Sequence, residues 1–235
     1  PTGTAGVAVM RWNDTDGTAD LGLKGGNVTL QIGQEQVTRV VNKTGVNLLE
    51  ASYQAVRVDG AQGNRLKVAL AQADNDTNSA DTLGLVTETI NNNQEGFVTV
   101  SGLVRNINTT GSIQTETWLD GDVLYLSGTV AGQITNIKPT APIHTVIMGY
   151  VIRAHATQGQ IYVKVDNGYE LDELHNVAIT TPLNDQVLQY ETATSLWKNK
   201  TISTGITIGT TAIASGTVGR VLFEGTGNVV QESAN

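Results

Sequence analysis

Short turn signals recur along this chain, and the residues between them alternate between apolar and polar. Asp59-Gly60, Gly63-Asn64 and Asp120-Gly121 are turn pairs of this kind. Glycine, asparagine and aspartate favour tight turns because glycine and asparagine tolerate positive φ angles and short polar side chains bond the nearby backbone. Several short alternating segments, spaced roughly 8 to 12 residues apart, are typical of a β-sandwich or β-barrel. The predicted fold class is therefore all-β.

The clearest strand signal is a set of apolar residues spaced two apart, because successive side chains of a strand point to opposite faces. The run HTVIMGYVIR at 144–153 is apolar on both faces, which predicts a strand buried on both sides. Short helices are expected only around 47–56 and 171–175, with no more than two turns. The alternating sets are Val28, Leu30 and Ile32; Val98, Val100 and Val104; and Ile161, Val163 and Val165.

The pattern changes after Pro182, and three regions follow from that change. Residues 1–19 are predicted to form an N-terminal docking arm, and 20–180 a β-domain. Residues 181–235 are predicted to hold an aromatic hairpin and the start of a shaft. In the hairpin, QVLQYE alternates before a polar turn, and Leu196 and Trp197 resume the pattern after it.

The segment TISTGITIGTTAIASGTVG after this hairpin repeats short β-branched pieces broken by glycine. One chain cannot bury a core with it, because each piece offers only one or two apolar groups. Several identical chains wound about one axis could do so, with threonine and serine left outside. We therefore expect an intertwined, β-rich trimeric shaft, with a disordered tail as the alternative. The predicted inter-chain contacts are Trp197, Ile206, Ile208, Ile213, Val218 and Val221.

Charge and composition exclude several function classes. The net charge of −8 argues against a nucleic-acid partner, since such proteins carry basic patches. The chain has no cysteine, so disulfides and cysteine metal sites are excluded. No apolar run approaches the roughly 20 residues of a membrane span, so no membrane insertion is expected. Only 15% of residues are charged, which favours an extracellular or virion structural protein.

The chain contains six stretches that carry a resemblance to a known family: GGNVTLQIGQEQVTRVVNKTG, WLDGDVLYLS, KPTAPIHTVIMGYVIR, QGQIYVKVDNGYELDELHNV, VLQYETATSLWKNKT and GTTAIASGTVGRVLFEGTGNVVQESAN. Together they resemble a β-domain of tail-fibre and related fibre proteins of tailed bacteriophages. The resemblance implies a homotrimer located in the virion. One end would be held by a baseplate, tail or collar protein, and the other would contact a host surface glycan or protein. It implies no catalytic residues.

A weaker similarity leads to phage capsid-decoration domains, so a capsid-mounted head fibre is the nearest alternative. A monomeric carbohydrate-binding module is a second alternative, of a different class. It would need an exposed aromatic platform and a flexible tail after Pro182. The chain also looks like part of a longer polypeptide. Trimerisation rests on the resemblance together with the unburied shaft strands, because strand spacing alone permits other oligomers.

Acidic residues and histidines are the candidates for metal chemistry. Asp14, Asp16 and Asp20 lie near Gly17, and such oxygen-rich loops can bind calcium. Their spacing does not match a helix-loop-helix calcium loop, so an ordinary turn is preferred. His144 and His155 flank one strand, about 36 Å apart if it is fully extended. Together with His175, in an acidic surface cluster, they predict no metal site, and no cofactor is expected.

Paired carboxylates and aromatic side chains are the candidates for sugar chemistry. Glycosidases use two carboxylates in a groove, but Asp120 and Asp122 bracket a turn, and Asp172 and Glu173 are adjacent in sequence. The chain is therefore predicted not to be an enzyme. Aromatic residues could stack on glycans, although packing in the core or at an interface is the preferred interpretation. They are Trp12, Trp118, Trp197, Tyr125, Tyr150, Tyr162 and Tyr169.

Overall fold

The computed structural model describes residues 9–23, 28–110, 115–202, 221–225 and 229–233. The protein is nearly all β, as predicted, with a closed five-stranded barrel and additional sheets. The chain divides into two compact units, Pro1–Tyr169 and Glu170–Asn235. The strands of the first unit are β1 (Met10–Asn13), β2 (Thr18–Gly22), β3 (Thr29–Gln31), β4 (Glu35–Asn42), β5 (Ala55–Gln62), β6 (Arg65–Leu70), β7 (Thr82–Val86), β8 (Glu95–Ile107), β9 (Val123–Leu126), β10 (Ile134–Thr135), β11 (Val146–Arg153) and β12 (Gly159–Asn167). Those of the second are β13 (Val177–Ala178), β14 (Gln186–Glu191), β15 (Leu196–Thr201), β16 (Val221–Gly225) and β17 (Val229–Ser233).

Helical structure among the described residues is limited to single turns. The 3-10 turns Glu50–Ser52 and Leu171–Glu173 fall inside the two segments for which short helices are predicted. The sequence pattern does not predict α1 (Asp76–Ser79), which begins after Asn75. The Asn75 side chain caps this turn by accepting a hydrogen bond from the Asn78 N–H. Within the described part of the chain, no helix has the length and apolar character needed to cross a membrane.

The barrel is closed because one long strand, β8, forms both ends of a five-strand ring. The order is β8-β4-β6-β5-β7, and β7 pairs back onto β8. At the closure Val98 of β8 is opposite Thr38 of β4 and also Val86 of β7. The side chains that fill this barrel are those of Val40, Leu48, Val56, Val68, Val86, Ile90 and Val98.

The second half of β8 leaves the ring and pairs with β12, so it starts a further run of strands in the order β8-β12-β11-β9-β10. A larger apolar core lies here, and it contains Ile161 and Val163, as predicted from their alternation. The expectation that 144–153 is buried on both faces is wrong. Val146, Met148 and Val151 are buried, whereas Ile147 is half-buried and Ile152 is exposed, because only one face of β11 meets the core.

The N-terminal strands form their own antiparallel sheet in the order β1-β2-β3. The predicted boundary between residues 19 and 20 lies inside β2, which pairs with β1 on one side and β3 on the other. The described part of the predicted arm is therefore built into folded structure from Met10 onwards.

The second unit begins at Glu170, earlier than the predicted boundary at residue 180. The difference arises because Val177 and Ala178 form β13, which pairs in parallel with Trp197 and Lys198 of β15. A three-stranded sheet in the order β13-β15-β14 results, and β16 and β17 form a separate antiparallel hairpin. Not one residue from 170 to 202 is buried.

Candidate functional site

The candidate site is the hairpin β14–β15, which the sequence pattern predicts correctly. Its strands pair antiparallel from Gln186 opposite Thr201 to Glu191 opposite Leu196. The turn closes on the Glu191 carbonyl, which accepts hydrogen bonds from the N–H groups of Thr194 and Ser195 at 3.2 and 2.9 Å. Ser195 adopts a positive φ of 58°, which brings the chain back into β15.

Apolar side chains lie on both faces of this hairpin and stay accessible to solvent. Tyr190 and Trp197 sit opposite each other with ring centroids 5.5 Å apart and an interplanar angle of 61°, an edge-to-face pair. Tyr190 is 47% exposed and Trp197 is 42% exposed. Val187 and Leu188 are neighbours along β14, so their exposed side chains point to opposite faces. We call Val187, Leu188, Tyr190 and Trp197 the hairpin surface.

A charge cluster links the two strands across the hairpin. The Glu191 carboxylate accepts hydrogen bonds from Nζ of Lys198 at 2.5 Å and of Lys200 at 3.1 Å, and a third from the Thr194 hydroxyl at 2.7 Å. These donors, Lys198 first, lower the pKa of Glu191 to about 2. The Asn199 side chain adds a reciprocal pair of 2.9 Å hydrogen bonds with the backbone of Thr180. The apolar exposure is therefore a property of a well-bonded sheet.

Of the predicted inter-chain contacts, Trp197 belongs to the hairpin surface. Ile206, Ile208, Ile213 and Val218 lie outside the described residues. Val221 is the first residue of β16, where the backbone is described and the side chains are not.

The aspartates near Gly17 form a turn, as the preferred interpretation holds. The Asn13 side-chain oxygen accepts the N–H groups of Thr15 and Asp16 at 3.1 and 3.2 Å, an Asx-type turn. Asp14 accepts the Trp12 indole N–H at 2.6 Å, and Asp16 and Asp20 accept from the Asn13 amide. The carboxylates are thus used in hydrogen bonds within and around the turn.

Each of the three histidines has its own surroundings. His144 and His155 lie beyond opposite ends of β11, as expected. Nδ1 of His144 is 3.3 Å from both the Ser79 hydroxyl and an Asp76 oxygen. Nδ1 of His155 accepts the N–H groups of Thr157 and Gln158 and so stabilises a turn. His175 is exposed.

The paired carboxylates also cap the backbone. Asp120 accepts the N–H of Ala154, and Asp122 accepts the N–H of Leu119 and the side-chain amide of Asn136 at 2.8 Å. The side chain of Glu173 accepts the N–H of Glu170 in a capping box around a 3-10 turn. These contacts account for the carboxylates as local structure.

The aromatic residues differ in burial. The prediction that they pack in the core or at an interface therefore describes only some of them. Trp118 is in the core at 1% exposure, in agreement with the prediction. Trp12 is 66% exposed on β1, and Tyr169 is 85% exposed at the end of the first unit. Tyr162 is also exposed, whereas Tyr125 and Tyr150 are half-buried.

Sequence reasoning missed a polar cleft of about 330 Å³ where the N-terminal sheet meets β4 and β8. Alternation places Gln31 on the polar face of its strand, yet its side chain is buried at 6% exposure, whereas Ile32 is exposed. Glu35 pairs with Arg105 at 2.8 Å in the wall, and burial raises the pKa of Glu35 in spite of the guanidinium. Arg105 is far from Gln31 and Glu35 along the chain, so no local sequence pattern predicts that they share a cleft.

The chain matches no protein-family model and no curated protein. Function is therefore argued from the geometry above.

Proposed function

We propose that this protein is a structural fibre protein of a tailed-bacteriophage virion, and that it works as a homotrimer joined through its second unit. The observation that carries the proposal is that 170–202 fold into a bonded sheet without a single buried residue. Small isolated sheets are marginal in water unless a hydrophobic face is covered. A covering surface is therefore needed, and identical copies supply one with the same exposed apolar groups.

Covering the exposed apolar side chains of the hairpin would stabilise the assembly by an appreciable free energy per chain. A tryptophan buries roughly 150 to 250 Å² when it is fully covered. Covering the exposed 42% of Trp197 would contribute on the order of 2 kcal/mol at about 25 cal/mol per Å². Tyr190 and Leu188, which lie on the same face as Trp197, add to this, and symmetry repeats the gain in every copy.

In this proposal the trimer acts mechanically. The N-terminal region binds a virion partner such as a baseplate, tail or collar protein. The C-terminal strands start a shaft that projects toward a glycan or protein on the host surface. Several fibres per particle convert weak receptor contacts into firm adsorption through avidity. Neither a cofactor nor a nucleic-acid or membrane partner enters the mechanism, and no catalytic step is invoked.

Light scattering after size-exclusion chromatography tests the assembly. We expect a particle of three times 24.8 kDa. Replacing Trp197 with serine should shift the equilibrium toward monomer on dilution. Trp12→Ser is the matched control, because Trp12 is more exposed but lies outside the second unit. A monomeric wild-type chain, or equal dissociation of the two variants, would contradict the proposal.

Two alternatives differ from this proposal, one in the oligomeric state and the other in the docking partner. A carbohydrate-binding module predicts a monomer, and the exposed Trp12 is the observation that favours it. A capsid-mounted head fibre predicts the same trimer with a different docking partner. Gold labelling of the N-terminus in intact virions separates head from tail attachment.

A further inference from the structure

We propose that the cleft between the N-terminal sheet and β8 binds a single saccharide unit, either neutral or amino-bearing. At about 330 Å³ the cleft lies at the lower end of the range for small-ligand pockets, roughly 300 to 1,000 Å³. The β2, β3, β4 and β8 strands all contribute to its wall, together with the turn around Glu50. It is thus held by packed strands of a single unit.

The charge of the wall selects against anions. Three carboxylates line the cleft, those of Asp20, Glu35 and Glu50, against the one guanidinium of Arg105. Nη1 of this guanidinium is engaged, because it lies 2.8 Å from Glu35. Nη2 is buried 3.6 Å from an Asp16 carboxylate oxygen and has no hydrogen-bond partner among the described residues, so it can donate to a ligand oxygen. A phosphate or carboxylate ligand would meet mainly repulsion. A neutral or cationic ligand is favoured.

Hydrogen-bonding capacity in the wall points to a ligand that donates. Gln31 gives its amide N–H to Asp16 at 2.6 Å, and its carbonyl oxygen Oε1 has no hydrogen-bond partner among the described residues. The same holds for Oδ1 of Asp20. Both atoms are buried just under the wall, where an unpaired acceptor is costly. A ligand hydroxyl that donates to either acceptor would remove this cost.

The remaining wall suits the carbon skeleton of a sugar. Val28, Val37 and Leu103 present apolar surface, and Tyr53 adds a half-buried ring. Thr29, which carries a hydroxyl group, also lines the wall. A polyol with C–H faces uses both kinds of surface, whereas a metal ion gains nothing from the apolar side chains. Among the described residues, moreover, the carboxylates of this cleft form no group of three whose ligand atoms lie within 4.8 Å of one another.

Saturation-transfer difference NMR and calorimetry on the full chain test the proposal, with glucose, glucosamine and glucuronate as probes. We expect saturation transfer to glucose and glucosamine, and weaker or no transfer to glucuronate because of the wall carboxylates. Gln31→Met conserves the volume and removes the acceptor, so it should weaken binding about tenfold, the equivalent of one lost hydrogen bond. Gln36→Met is the matched control, because Gln36 is exposed on β4 outside the cleft.

Thr29→Val provides a second, gentler variant that removes one wall hydroxyl from an exposed position and should also weaken binding. Absence of transfer to every sugar, tighter binding of glucuronate than of glucose, or equal loss in Gln31→Met and Gln36→Met would overturn the proposal. A heat of binding for calcium without any for sugars would do the same. Binding is measured whether the protein is monomeric or trimeric, so this result is independent of the fibre proposal.

Discussion

Asn42 donates a hydrogen bond from its side-chain amide to the carbonyl of Ile90, 2.8 Å away, and both residues are buried in the barrel. The same amide also reaches the Val46 carbonyl at 2.8 Å, and the Asn42 side-chain oxygen accepts the N–H and hydroxyl of Thr44. One polar side chain thereby satisfies the backbone where β4 leaves the barrel.

Replacing Asn42 with alanine should destabilise the first unit by about 1 to 2 kcal/mol, because the buried Ile90 carbonyl loses one of its two donors and keeps only the Leu48 N–H. Chemical denaturation followed by circular dichroism measures the free energy of unfolding. Asn91→Ala in the neighbouring loop is the control, since Asn91 is exposed, and it should change the stability by less than about 0.5 kcal/mol. Equal effects of the two changes would show that the buried network is unimportant.

Gly84 controls the closure of the barrel. A Cβ atom at this position would lie 2.1 Å from the carbonyl oxygen of Thr99, on the strand that closes the ring. Because the obstacle is backbone, we expect Gly84→Ala to cost about 3 kcal/mol or more. Gly45→Ala meets no atom within 4 Å and suffers only from its φ of +89°, at about 1 to 2 kcal/mol. Thermal unfolding of the two variants should rank them in this order, and the reverse order would contradict the closure geometry.

Glu116 connects the loop before Trp118 to β10. Its carboxylate accepts the Trp118 indole N–H at 3.1 Å, the Thr135 hydroxyl at 2.7 Å and the Asn136 N–H at 3.1 Å. Glu116→Ala should cost about 2 kcal/mol, since the buried indole loses its acceptor. Glu95→Ala removes only surface ion pairs with Arg39 and Arg65 and should cost under about 1 kcal/mol. Urea denaturation compares them, and a smaller loss at Glu116 would contradict this role.

Local alternation was enough to predict the fold class and much of the core. Val98, Ile161 and Val163 are buried where a period of two places them. It failed for 144–153, because a run of apolar residues does not reveal whether the second face of a strand is covered. Ring closure through β8 was also not predictable, since it depends on pairing between strands distant in sequence.

The hairpin and the cleft differ in how much of each could be predicted from the sequence. The hairpin is local, so the pattern of QVLQYETATSLWKNKT predicts it. Its register, with Tyr190 opposite Trp197, comes from the structure. The cleft is assembled from residues as far apart as Asp20 and Asn106. Gln31 is buried there because a second layer covers the polar face of its strand, and alternation carries no information about that layer.

The pH dependence of Glu191 tests whether its hydrogen bond with Lys198 stabilises the hairpin. Its pKa, about 2, lies below the ordinary 4.5, chiefly because of the hydrogen bond from Lys198. A depressed folded-state pKa means that the interaction stabilises the hairpin above pH 4.5 and is lost as the pH falls from 4.5 toward 2. Lys198→Met should therefore raise the pKa of Glu191 toward 4.5.

NMR titration of the ¹³C-labelled Glu191 carboxyl group measures this shift. Lys200→Met is the matched control, and it should raise the pKa less, because Lys200 makes a smaller contribution than Lys198. The backbone register should survive in both variants, since the strand pairing and the cross-strand hydrogen bond from Asn199 to the Gln186 side chain are unaffected. An unchanged pKa in Lys198→Met would mean that this lysine does not hold the carboxylate in solution. The hairpin register would then depend on backbone pairing and the Tyr190–Trp197 contact.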